Sequence, residues 1–155
     1  MWKRVLLLLS LTFCFATAGC EFFNPIGPMI QLGIYWYEGE AHKYYATDQP
    51  TIDKALRSAL NEVAIPINSE ETKGDTIYLR AGGKMVTEKR LMHSVSEDRF
   101  KIKVTKVNEK VTKLSIRVNV FGDKPFAELI YRHVDQQPGV RQFATSQELH
   151  EAVNR

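Results

Sequence analysis

Hydrophobic and polar positions alternate in three distinct rhythms along this chain. From Pro50 to Ala64, Ile52, Ala55, Leu56, Ala59, Leu60 and Val63 recur at helical spacing, with Asp53, Lys54, Arg57, Ser58, Asn61 and Glu62 between them. That is one apolar stripe on an amphipathic helix, with Pro50 in its first turn and Pro66 ending it. From Arg99 to Lys106 the period changes to two. Phe100, Ile102 and Val104 face one way, and Arg99, Lys101, Lys103 and Thr105 the other. Thr112 to Phe121 repeats the pattern, with Leu114, Ile116, Val118 and Val120 inward and Lys113, Ser115, Arg117 and Asn119 outward. Joined through Asn108-Glu109-Lys110, the two segments predict an antiparallel hairpin with one buried face.

Weaker signals fill in the remainder. Ile34 to Ala46 is aromatic-rich and reads as a first strand, with Ile34 and Trp36 on one face, Tyr35 and Tyr37 on the other, and a bend at Gly39. Thr76 to Ala81 reads as a short strand, Gly82-Gly83 as a turn, and Lys84 to Leu91 as its hairpin partner. Gly122-Asp123 closes the last strand and opens a helix with Pro125 in its first turn and Asp123 as cap. Phe126, Leu129, Ile130 and His133 or Val134 line one side of that helix. After the break at Gln136-Gln137-Pro138-Gly139, Thr145 and Glu148 stand at capping-box spacing before Leu149, Ala152 and Val153, which predicts a short final helix. The expected fold is α+β: an antiparallel sheet of four to five strands with two helices packed on one face.

The third rhythm is at the start. Lys3 and Arg4 precede about fourteen mostly apolar residues, Val5 to Ala18, and then Gly19-Cys20. A bilayer span needs roughly twenty apolar residues, so this run reads as a signal segment with its cleavage site. A cysteine directly after the small residues resembles the lipobox of bacterial lipoproteins. That resemblance implies cleavage ahead of Cys20 and lipid on its sulfur and amine. Thr17 stands where leucine is usual, and cleavage near Ala16 or Ala18, giving a soluble periplasmic protein, is the rival. The domains that follow are a signal over 1–19, a lipidated cysteine with a short apolar tether over 20–33, one α+β domain over 34–135, and a C-terminal extension over 136–155.

Composition then narrows the function classes. Cleavage leaves 136 of 155 residues, enough for one domain with a real core. Lys3 and Arg4 leave with the signal, so 21 basic residues fall to 19 against 18 acidic ones. A near-neutral chain makes no case for nucleic acid. Cys14 lies in the signal and Cys20 carries lipid, which leaves the domain no cysteine for a disulfide, a thiol nucleophile or a zinc site. His42, His93, His133 and His150 do not stand at metal-ligand spacing, and no nucleophile elbow or phosphate loop is present. No metal, cofactor or catalytic residue is expected.

One cluster stands out. The outward face of the 99–117 hairpin carries Arg99, Lys101, Lys103, Lys113 and Arg117 with no acid among them. Like charges paired across strands repel. Either acids on another strand offset them, with Glu38 and Glu40 as candidates, or the face meets anionic lipid, lipopolysaccharide or an acidic partner. The aromatic group Tyr35, Trp36, Tyr37, Tyr44 and Tyr45 is read mainly as core, with an interface as the alternative.

Finally, Ile116-Arg117-Val118 and Phe121-Gly122-Asp123, following an aromatic strand and an amphipathic helix, resemble a family of small bacterial lipoproteins of unknown function, number three-five-six-eight among the domains of unknown function. The resemblance covers roughly 34–134. It implies an envelope address and brings no activity with it. The expected protein is non-enzymatic, held to a membrane by its N-terminal lipid, with a possible envelope protein partner. Glutamate after the cysteine leaves sorting ambiguous, and the outer membrane, facing the periplasm, is favoured.

Overall fold

The computed structural model describes residues 32–82, 99–120 and 122–154. The hairpin read from alternation is the centre of the sheet. Strands β5 (Phe100–Asn108) and β6 (Val111–Val118) pair antiparallel with Ile102 opposite Ile116 and Val104 opposite Leu114. Around them stand β1 (Tyr35–Tyr37), β2 (Glu40–Tyr45), β3 (Ile67–Lys73) and β4 (Thr76–Ala81). The sheet order is β1-β2-β6-β5-β4-β3, and every neighbouring pair is antiparallel.

The α+β class and the antiparallel sheet match expectation, but the described residues form six strands and three helices. Both additional strands have a physical reason. Residues 34–46 form a hairpin, not one strand. Glu38 and Gly39 both take positive φ, 50° and 76°, the backbone that a two-residue hairpin turn demands. The other strand is β3, whose sequence Ile-Asn-Ser-Glu-Glu-Thr-Lys has almost no apolar periodicity. It is an edge strand, exposed from Asn68 onward, and charged edges are how sheets avoid further pairing. β4 therefore pairs with β3 across Gly74-Asp75. The expected partner at Lys84–Leu91 lies outside the described residues.

Helices α1 (Gln49–Glu62) and α2 (Lys124–Asp135) cover one face. Their buried residues, Ile52, Ala55, Leu56, Ala59 and Leu60 with Ala127, Ile130, Tyr131 and Val134, meet Ala41, Tyr45, Leu79, Phe100, Ile102, Val104, Leu114, Ile116 and Val118. Glu62 ties the two helices by accepting from Gln137 Nε2 at 2.8 Å and facing His133 Nδ1 at 2.8 Å. Arg57 ties α1 to the edge strand, at 2.9 Å from both Asp53 and Glu70.

The tail does not trail away. Ala46 donates to the Arg141 carbonyl and Arg141 N–H to Thr47 Oγ1, so the chain passes the end of β2 and reaches the sheet's other face. There α3 (Ser146–Val153) sets Leu149, with Phe143, against Tyr44 and Val111 in a second, smaller core. The Thr145 cap is formed: Thr145 Oγ1 accepts from Glu148 N–H at 3.1 Å, while the Glu148 carboxylate reaches one residue past the cap and accepts from Ala144 N–H. Among the described residues no helix is long and apolar enough to cross a membrane.

Candidate functional site

The face opposite α1 and α2 is where the sequence placed its candidate residues. Alternation puts Lys101 and Lys103 of β5 and Lys113, Ser115 and Arg117 of β6 on it, beside Glu40, His42 and Tyr44 of β2 and Tyr35 and Tyr37 of β1. Four of the five candidate cations thus share one surface. Arg99 does not. It precedes β5, its guanidinium lies 5.3 Å from the Phe126 ring of α2, and it faces Asp123 at 3.5 Å. Alternation carried one residue too far, because the strand begins at Phe100.

The shared surface is largely internally compensated. Glu40 is its hub: its carboxylate accepts from Lys103 at 3.0 Å and lies 3.4 Å from Arg117. Arg117 also donates to the Glu38 carbonyl. So both acids named from sequence contribute, Glu38 through its backbone. Lys113 is half-buried, its ammonium 5.9 and 5.7 Å from the Tyr35 and Tyr44 rings. Those contacts are cation–π contacts. Burial pulls the Lys113 pKa down, Glu40 pushes it back up, and Lys103 lowers it further. Lys101 is the exposed member of the four and has no ion pair among the described residues.

His42 and Ser115 face each other in register under Tyr35. The His42 Nδ1 lies 2.8 Å from Ser115 Oγ. A nucleophile–base pair would need an approach path and a third group orienting the imidazole. Both residues are buried instead, and the Tyr35 ring covers His42 at a centroid distance of 5.0 Å. Burial, then the Lys113 charge, holds the imidazole pKa below its usual value, against the opposing pull of Glu40 and a hydrogen bond to the Tyr37 backbone. The pair satisfies two buried polar groups on adjacent strands.

Among the described residues, no group of three or more His, Cys, Asp and Glu could hold a metal ion. A cleft of about 420 Å³ lies between the start of α1, the β5–β6 turn and the tail, with Thr47, Asp48, Glu109, Arg141 and Glu148 in its wall. It contains carboxylates and a guanidinium but no histidine or serine.

Sequence reasoning missed a buried polar cluster on the helix side. Lys43 Nζ donates to both Asp135 carboxylate oxygens, at 2.8 and 2.6 Å, and Tyr45 Oη donates to Oδ1 at 2.9 Å. Burial first, then the neighbouring carboxylate, drives the Tyr45 phenol far above its ordinary pKa. The cluster pins the end of α2 to the sheet. Higher up the helix, the Tyr131 hydroxyl lies 2.8 Å from the carbonyls of both Ala41 and Leu114, so it bridges β2 and β6.

The glycine–aspartate pair after β6 completes the picture. Gly122 has φ +80°, and a Cβ there would fall 2.7 Å from the Gly39 carbonyl oxygen of the β1–β2 turn. Asp123 Oδ1 accepts from Phe126 N–H at 3.2 Å and caps α2. A family model described as "Protein of unknown function (DUF3568)" matches residues 4–137. The chain belongs to that family. No curated protein matches the chain. In this DUF3568 member, Gly122 and Asp123 serve a close approach and a helix cap. The match takes in the apolar N-terminal run and ends just past α2, so Phe143 and α3 lie beyond it.

Proposed function

We propose that the protein is a lipid-anchored bacterial envelope protein that binds or scaffolds at a membrane surface without catalysing a reaction. The observation that carries this reading is the junction Ala18-Gly19-Cys20, placed directly after a basic start and an apolar run too short to span a bilayer. Cleavage there makes Cys20 the first residue and the attachment point for diacylglycerol and a fatty acyl chain such as palmitate. Membership of a family whose match begins at residue 4 agrees with the N-terminal run being part of the family's plan. The described residues support a non-enzymatic role: the His42–Ser115 pair is enclosed, and most cations of the open face are answered from within the chain. The address that fits best is the outer membrane, facing the periplasm.

Metabolic labelling with an alkyne fatty acid, followed by membrane fractionation, tests this. The native chain is expected to carry label and sediment with membranes, and Cys20→Ser to lose the label and leave the membrane fraction. An unlabelled native chain, or a labelled Cys20→Ser chain, contradicts the proposal.

A further inference from the structure

Among the described residues, the open face holds an exposed cation, Lys101, without an ion pair. Arg80 stands opposite Lys101 and Lys101 opposite Arg117, so three cations occupy one row across β4, β5 and β6. Cross-strand like charges are destabilising. Arg117 and Lys103 share Glu40, and on β3 Glu71 is engaged by Lys73 at 2.8 Å. Lys101 sits between two guanidinium-bearing neighbours, exposed, with no ion pair among the described residues. Two tyrosines frame the row. Tyr37 on β1, paired with Glu40, is 64 % exposed, and Tyr78 on β4, next but one to Arg80, is 38 % exposed.

We infer that this row is a docking surface for the anionic headgroups of the bilayer that carries the anchor. The inference rests on the anchored reading above. The chemistry fits on three counts. Phosphate is matched by lysine and arginine presented side by side. Tyrosine, with an apolar body and a polar tip, favours the headgroup level. Across sheet neighbours spaced about 4.8 Å, Tyr37 and Tyr78 stand roughly 20 Å apart, which gives a patch broad enough to meet several headgroups. Reach also fits. Tyr35 is the fifteenth residue after Cys20, at most about 50 Å of chain away, and the chain enters the sheet at β1, the strand that carries Tyr37. The end of this face away from α3 then meets the membrane, with α1 and α2 turned away.

The test uses the lipidated full chain reconstituted into vesicles of phosphatidylcholine alone or mixed with phosphatidylglycerol. An amine-reactive ester is pulsed, and labelling of Lys101 is compared with that of Lys54, an exposed lysine on α1, by peptide mass spectrometry. On the anionic vesicles Lys101 labelling should fall about fivefold relative to Lys54, the worth of one basic residue near an anionic surface. The protection should fade as salt is raised. Equal change at both lysines overturns the inference. So does protection in native envelope membranes that is missing on protein-free anionic vesicles, since the occupant would then be an acidic protein. If the chain fails to float with vesicles, the anchor reading alone fails. Anionic vesicles added from outside then still decide the docking face by the same Lys101 ratio.

Discussion

The two faces of this sheet use the same alternating sequence for opposite purposes. On the face under α1 and α2, Leu114, Ile116 and Val118 are fully buried and their neighbours are nearly all apolar. On the other face, the intervening Lys113, Ser115 and Arg117 meet tyrosine rings, an imidazole and a carboxylate. The first face obtains its stability mainly from area removed from water; outside the small core under α3, the second obtains it from matching polar groups to one another. Stability and surface chemistry are therefore separable in this fold. The open face can be changed at Lys101 without touching the core, and that freedom is what an interaction surface requires.

The sharpest way to break this comparison is to truncate one residue on each face. Ile116→Ala should cost about 3–4 kcal/mol through lost burial and a residual cavity, while Lys101→Ala should stay within about 0.5 kcal/mol. Urea denaturation of both variants checks the contrast, and comparable losses would contradict it. Next in size is the exception on the apolar face. Asp135→Asn leaves the Lys43 ammonium buried without its counter-charge and should cost about 3 kcal/mol, with much of it recovered when Lys43→Met is added. Denaturation midpoints of the single and double variants read this directly.

The second, smaller core sharpens the comparison further. Thr145→Ala removes the N-cap of α3 and should cost about 1 kcal/mol. Because α3 rests on only a handful of apolar contacts, amide hydrogen exchange should rise in α3 and the 140–145 segment and leave α1 unchanged. The smallest expected effect is one of pH. The His42 pKa is held below its unfolded value near 6.5, so the unfolded chain binds the proton more readily. Stability is then fully present above about pH 6.5 and is lost as pH falls through that value toward the folded pKa. Replacing His42 with Asn should flatten this part of the profile, as read by thermal melts between neutral and mildly acidic pH.

Much of this was legible in the residues, and the reason is periodicity. The β5–β6 hairpin and α1 each bury one face and expose the other, so their patterns survive in sequence. The caps of α2 and α3 were legible because Asp123 and Thr145 act within three residues. What escaped depends on distance or on having no apolar face. β3 is polar on both sides because it is an edge. The β1–β2 turn uses a glutamate at positive φ, which hides the usual turn signature. Lys43 is buried only because Asp135, ninety-two residues away, meets it. Of the five cations, the alternation placed four together, but Arg80 joins the row only through the β4–β5 register, which no local pattern reports.

The whole account turns on Cys20, and mass spectrometry of the N-terminal peptide purified from membranes tests it most directly. The expected result is a peptide that begins at Cys20 and carries the added mass of a diacylglyceryl group and an amide-linked acyl chain. A peptide that begins at Cys20 with a free thiol, or that begins at any other residue, would contradict it.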